Sequence, residues 1–213
     1  NNQTVRQFGA VKHLDDLNPW LTSDQKQIEI PVISKLITLI LNKYAHLDPY
    51  GIGLSYEGNK PGWNDACNGI PGLFGSGVSE TFELLKLVSY VRRKLEQNTD
   101  GKLEFLDDTI TLLNNLYKIN ESSAFNDWNQ RMIALESYRT QRLSRNTELG
   151  QIEHQKVLDR LIKIEKHLEQ SVEKAKDIGE IIPTYLTYEA TSYDLILDEN
   201  NQKVIGDYGL PLV

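Results

Sequence analysis

Cysteine is almost absent from this chain: Cys67 is the one cysteine in 213 residues. That excludes an intrachain disulfide framework, a cysteine-based zinc site and a CxxC redox pair, and it suits a reducing compartment. Histidine is nearly as sparse. His13, His46, His154 and His167 are scattered, with no HxxxH pair or His–carboxylate cluster at metal-ligand spacing, so no metal is expected. Long apolar runs are also missing. The longest stretch nearly free of charge, Leu36 to Leu41, is far shorter than the roughly 20 residues that span a bilayer, and the opening NNQTVRQ contains no apolar region of the signal-peptide kind. No four basic residues occur in succession, and a net charge of -7 repels a phosphate backbone. These absences describe a soluble, cytoplasmic chain without nucleic-acid or membrane partners. No GxSxG, Walker or GxGxxG pattern stands in a strand-to-helix context either.

What is present is mainly helical. After a polar N-terminal stretch, PVISKLITLILNKYAH places apolar residues at 33, 36, 37, 40, 41 and 44, one face of a buried helix with Pro31 in its tolerated first turn. Asp48-Pro49 ends it, because the residue before proline is pushed away from helical angles. A second helix starts at Ser79, read as its N-cap with Glu80 and Glu83 in the first turn, and runs to about Gln97 on the stripe Leu84, Leu85, Val88, Val91, Arg92 and Leu95. NTDG stops it. A third helix is expected over 103–119, and segments 123–145 and 148–176 read as an antiparallel helical hairpin with a coiled-coil-like seam. From 179 onward PTYLTYEATSYDLILD, the turn-like ENNQ and KVIG predict a β-hairpin, with Tyr185, Tyr188 and Tyr193 on a packed β surface. The chain thus divides into an N-terminal segment with a buried helix (1–50), a glycine-rich segment (51–78), helices (79–178) and the hairpin (179–213).

The glycine-rich segment carries the chemistry. Gly51, Gly53, Gly58, Gly62, Gly69, Gly72, Gly75 and Gly77 are eight of the fourteen glycines, within 27 residues. Between them, Tyr56 and Trp63 offer flat faces that stack on a sugar ring, Lys60, Asn64 and Asn68 supply directional hydrogen bonds, and Glu57 and Asp65 can exchange protons. Glycines let the backbone approach a ligand closely. Together they suit a polyhydroxylated ligand. An inverting glycosidase needs one carboxyl that donates to the leaving oxygen and a second on the opposite face, and Glu57 and Asp65 can form such a pair. The same residues also fit a structural helix-to-helix loop with Trp63 packed inward and Asp65 capping the helix near Ala66.

The string KPGWNDACNGIPGLFGSGVSETFELLKL, residues 60–87, resembles the glycine-rich loop of (α/α)6-barrel carbohydrate-active enzymes, similar to inverting sugar phosphorylases of the cellobiose-phosphorylase kind. IIPTYLTYEATSYDL, 181–195, resembles a later segment of large bacterial relatives. Pro61-Gly62 stands where those phosphorylases usually have Gly-Asp. The resemblance implies that the WND triplet at Trp63, Asn64 and Asp65 carries the general acid, Asp65. It implies an oligosaccharide or glycoside substrate, no cofactor, and inorganic phosphate or water as the attacking group. Gly75, Ser76, Gly77 and Ser79, at a helix N-terminus, are the candidate phosphate contacts. The fold expected is about half of an (α/α)6 barrel with a long helical hairpin and a C-terminal β-hairpin. The remainder of the parent polypeptide would complete it, and the isolated piece would be inactive and self-associating. The rival expectation is a non-enzymatic helical interaction module whose 123–176 hairpin binds a protein partner.

Overall fold

The computed structural model describes residues 27–55, 75–97, 101–119, 124–144 and 147–188, together with the backbone of 192–197 and 203–209. Five helices dominate them: α1 (Val32–Ala45), α2 (Val78–Glu96), α3 (Asp107–Lys118), α4 (Ala124–Leu143) and α5 (His154–Lys176). Six short strands pair in three antiparallel ribbons: β1 (Gly75–Gly77) with β4 (Tyr185–Thr187), β2 (Lys102–Leu106) with β3 (Leu149–Glu153), and β5 (Ser192–Leu197) with β6 (Lys203–Gly209).

Each helix forms for a reason visible in its letters. In α1, Ile37, Ile40, Leu41, Tyr44 and Ala45 fall on one buried face, Pro31 serves as N-cap, and Lys43 faces the negative end of the dipole. In α2 the buried positions Val78, Thr81, Leu84, Val88, Val91 and Leu95 recur every three or four residues. Asp107 and Asp108 open α3, where a negative charge complements the positive end of the helix dipole. The stripe of α5, through Val157, Leu158, Leu161, Ile164, Leu168 and Val172, is the longest.

The stripes meet in one main core around Ile37, Leu41, Val88, Leu113, Leu135 and Leu161. Helix α5 lies along α2, α4 lies along α3, and α1 touches α2, α3 and α4. Two polar staples fix these pairs. Glu165 of α5 accepts the Ser89 hydroxyl at 2.5 Å and is paired with the Arg92 guanidinium, both from α2. Arg142 of α4 donates to Asp108 of α3 at 2.6 Å, and both side chains are buried.

Three expectations need correction. Segments 123–145 and 148–176 do not form a hairpin, because the main partners of α4 and α5 are α3 and α2. An apolar stripe shows that a helix has a buried face but not what covers it, and the intervening strand β3 redirects the chain. The helix expected from 103 begins at Asp107, and the one expected from 148 begins at His154. In each case five residues pair first, with Leu103 opposite Ile152 and Phe105 opposite Gly150. The C-terminal β-hairpin is present as β5 and β6, whereas β4, in the same stretch, pairs with β1.

Arg142→Met should destabilise the protein by about 3–5 kcal/mol in urea unfolding, since it strands the Asp108 carboxylate in the core. The double variant Asp108→Leu/Arg142→Met should recover most of that loss, because neither charge is then buried alone.

Candidate functional site

The chain runs from α1 straight into a tight polar turn, Asp48-Pro49-Tyr50-Gly51-Ile52-Gly53. Asp48 is fully buried. Its Oδ1 accepts the Ile52 amide at 3.0 Å, and its Oδ2 accepts the Gly53 amide at 2.9 Å. The same Oδ2 takes the Ser76 hydroxyl and the Tyr188 phenol, each at 2.6 Å. Two backbone amides, which can only donate, and two hydroxyls that donate here surround one carboxyl group, an arrangement suited to a carboxylate. Burial, together with the adjacent Asp48 carboxylate, raises the Tyr188 phenol far above its ordinary range, so it stays a donor.

Two glycines make the turn possible. Gly51 has φ +66°, the left-handed region where a side chain is strained, and a Cβ there would lie 3.2 Å from the Lys174 Nζ. Gly53 lies so close to Ser76 that a Cβ would meet its Oγ at 2.3 Å. Lys174 donates to the Tyr50 carbonyl at 2.9 Å, and Arg131 of α4 donates to the carbonyls of Leu47 and Asp48 at 3.0 and 3.2 Å. Those carbonyls lie just past the end of α1, where a cation complements the dipole.

The segment from Ser55 to Ser76 is closed at its base. Leu54 donates to the Gly77 carbonyl at 2.9 Å and Gly77 returns the bond to Leu54 at 2.8 Å. On the entering side, His46 Nδ1 lies 2.8 Å from the Ser55 hydroxyl and His46 Nε2 lies 3.1 Å from Arg139. A guanidinium can only donate, so Nε2 accepts and the ring proton sits on Nδ1, directed at Ser55. On the leaving side stands the Asp48–Ser76 bond. A small second core covers this base, with Ile52, Val78, Ala175, Leu186 and Tyr188 buried and Tyr50 and Phe82 packed against it.

The expected catalytic and sugar-binding residues, Tyr56, Glu57, Lys60, Trp63, Asn64, Asp65 and Asn68, lie outside the described residues. Of the expected phosphate contacts, Gly75, Ser76 and Gly77 form β1 and are buried, with the Ser76 hydroxyl given to Asp48 and the Gly77 amide to Leu54. Ser79 is not the N-cap. Gly77 holds that place in extended conformation, and the Val78 amide is donated to Thr184, so pairing with the neighbouring backbone replaces a hydroxyl cap. The Ser79 side chain is exposed in the first turn.

Asp48, Ser76, Tyr188, His46 and Ser55 were not anticipated as one cluster. Asp48-Pro49 reads as a helix stop, and the available signal was its carboxylate followed by glycines three and five residues on, the pattern of a side chain that accepts backbone amides. Among the described residues no group of three or more His, Cys, Asp or Glu side chains is placed to hold a metal. No described helix is long and apolar enough to cross a membrane. Comparison with protein-family models and with curated proteins gives no match for this chain.

His167 stands beneath the same turn, its Nδ1 2.8 Å from the Tyr44 hydroxyl. Burial, then the charges of Arg131, Lys174 and Lys163, lower its pKa to about 4. The folded protein thus keeps the ring neutral down to about pH 4, whereas the unfolded chain protonates it near 6.5. The unfolded state binds more protons in that window, so stability from this residue is complete above pH 6.5 and lost as pH falls to 4. The loss should reach about 3 kcal/mol. His167→Gln, measured by denaturant unfolding at pH 7 and pH 4, should show a smaller drop than the native protein by that order.

Proposed function

We infer that this chain is a piece of a carbohydrate-active enzyme that cleaves glycosidic bonds with inversion, by phosphorolysis or hydrolysis, with Asp65 as general acid. Two things support the reading: the WND-bearing string at 60–87 and the construction of the segment's base. The observation that carries most weight is structural. Both ends of the residues bearing Trp63 and Asp65 are tied into a buried hydrogen-bond node and to each other through Leu54 and Gly77. A closed base limits how far the intervening chain can wander, which suits residues that must meet a substrate in fixed geometry.

In this mechanism the Asp65 carboxyl gives its proton to the glycosidic oxygen as the bond to the anomeric carbon breaks. Water or inorganic phosphate attacks that carbon from the opposite face, giving the inverted product. Glu57 activates the water in the hydrolytic version, and phosphate needs no protein base. Trp63 stacks on the sugar beside the scissile bond, with Tyr56, Lys60, Asn64 and Asn68 contacting its hydroxyls. Ser76 and the Gly77 amide are spent inside the protein, so phosphate recognition falls to groups other than these two. The described helices form part of an (α/α)6 barrel in this reading, with the rest of the parent polypeptide packing on apolar side chains that are exposed here, among them Val32 and Ile133. The rival reading, an interaction module that binds a protein partner through 123–176 and uses the glycine-rich segment structurally, would present α4 and α5 as they pack on α3 and α2 and not as a hairpin.

Asp65→Asn in the parent polypeptide should cut turnover of a glycoside with a poor leaving group by roughly 10²- to 10⁴-fold, and much less with an activated aryl leaving group. Turnover of the poor substrate within about twofold of the native rate would refute the assignment. Trp63→Ala should weaken saccharide binding by about 1–3 kcal/mol, measured by calorimetric titration.

A further inference from the structure

One oxygen, Oδ2 of Asp48, bonds to both sides of the segment's base. It accepts the amide of Gly53, next to Leu54 on the entering side, and the hydroxyl of Ser76, next to Gly77 on the leaving side. Its remaining donor, the Tyr188 phenol, comes from 140 residues farther along the chain. Strand β4 brings that phenol in, pairing with β1 in the register Gly75 to Thr187, Ser76 to Leu186 and Gly77 to Tyr185. Leu186 and Tyr188 are buried in the small second core, and the Tyr188 ring lies 4.5 Å from that of Tyr50. Water cannot easily stand in for the phenol, since Asp48 and Ser76 have no exposed surface. Losing the phenol leaves a desolvated oxygen short of a donor, which loosens its hold on the other two.

We propose that Tyr188 and Asp48 are positioning residues for the glycine-rich segment. The β4 strap seats the Tyr188 hydroxyl on Asp48, Asp48 holds Gly53 and Ser76 together, and the separation of the segment's ends at Leu54 and Gly77 is thereby fixed. The consequence for catalysis rests on the reading of Asp65 as general acid: a proton donor displaced by about 1 Å loses much of its effect, and roughly 10²-fold is a common cost. The mechanical consequence is independent of that reading.

Tyr188→Phe keeps the ring and removes only the donor. Hydrogen exchange on the 213-residue chain is read at the amides of Leu54 and Gly77, which close the base, and at Val91 and Leu161, in α2 and α5. The expected result is exchange at least about tenfold faster at Leu54 and Gly77, with Val91 and Leu161 within about twofold. Ser76→Ala, which takes a different donor from the same oxygen, should move the same two amides. Unchanged exchange at Leu54 and Gly77, or equal acceleration at all four sites, overturns the positioning role. In the parent polypeptide, Tyr188→Phe should also slow a glycoside with a poor leaving group about tenfold while an activated aryl glycoside changes less than about twofold, a dependence that mere destabilisation does not produce. A leaving-group dependence shifted by Asp65→Asn but not by Tyr188→Phe overturns the catalytic half of this inference and leaves Asp65 standing. One shifted by neither variant overturns the Asp65 reading itself, and with it that catalytic half.

Discussion

A carboxylate with no access to water must find all its hydrogen bonds inside the protein, and the base of this molecule is arranged around that demand at Asp48. Two backbone amides, a hydroxyl and a phenol converge on it. Each comes at a structural cost that the sequence meets locally. The amides require the chain to fold back within five residues, which needs the left-handed Gly51. The hydroxyl requires Gly53 without a side chain, and the phenol requires a strand returned from beyond α5. Removing any one donor leaves the others holding a group that is expensive to bury.

The helical scaffold follows the same logic on a larger scale. Apolar stripes supply most of the driving force, and the buried polar pairs decide which stripe faces which. Glu165 of α5 takes the Ser89 hydroxyl and the Arg92 guanidinium of α2, and Arg142 of α4 is paired with Asp108 of α3, so slippage of either helix pair would pull a buried charge from its partner. Arg131 links the scaffold to the turn, because one guanidinium nitrogen bonds the two carbonyls that follow α1. The packing of α4 on α3 therefore bears on the placement of Asp48.

Much of the scaffold is legible in the sequence. The stripes of α1, α2 and α5 are long and strictly spaced, so the spacing locates α1, α2 and the end of α5 to within a few residues, while the start of α5 is displaced by strand β3. Strands β2 and β3 are not legible in the same way. Leu103, Phe105 and Ile152 carry the same apolar letters as a first helical turn, and each strand passes into a helix without a loop. Which helix covers which is also hidden, since an apolar face on α4 does not say whether α5 or α3 packs on it. The node is hidden for a different reason. Asp48, Ser76 and Tyr188 are separated by 28 and then 112 residues, and nothing short-range marks them as neighbours. The glycines are the legible part of the site: their crowding marks a segment whose backbone must turn tightly and pack closely, and at Gly51 and Gly53 it does both.

If a glycoside-cleaving site is held on a base closed in this way, substrate must meet Asp65 without opening that base. The most direct measurement is a crystal structure of the parent polypeptide with a bound, uncleaved saccharide. The expected result places the glycosidic oxygen about 2.6–3.2 Å from the Asp65 carboxyl, with a sugar ring against Trp63 and the Leu54–Gly77 bonds intact. A saccharide bound away from the segment, with Asp65 capping a helix and Trp63 packed in a core, would contradict it.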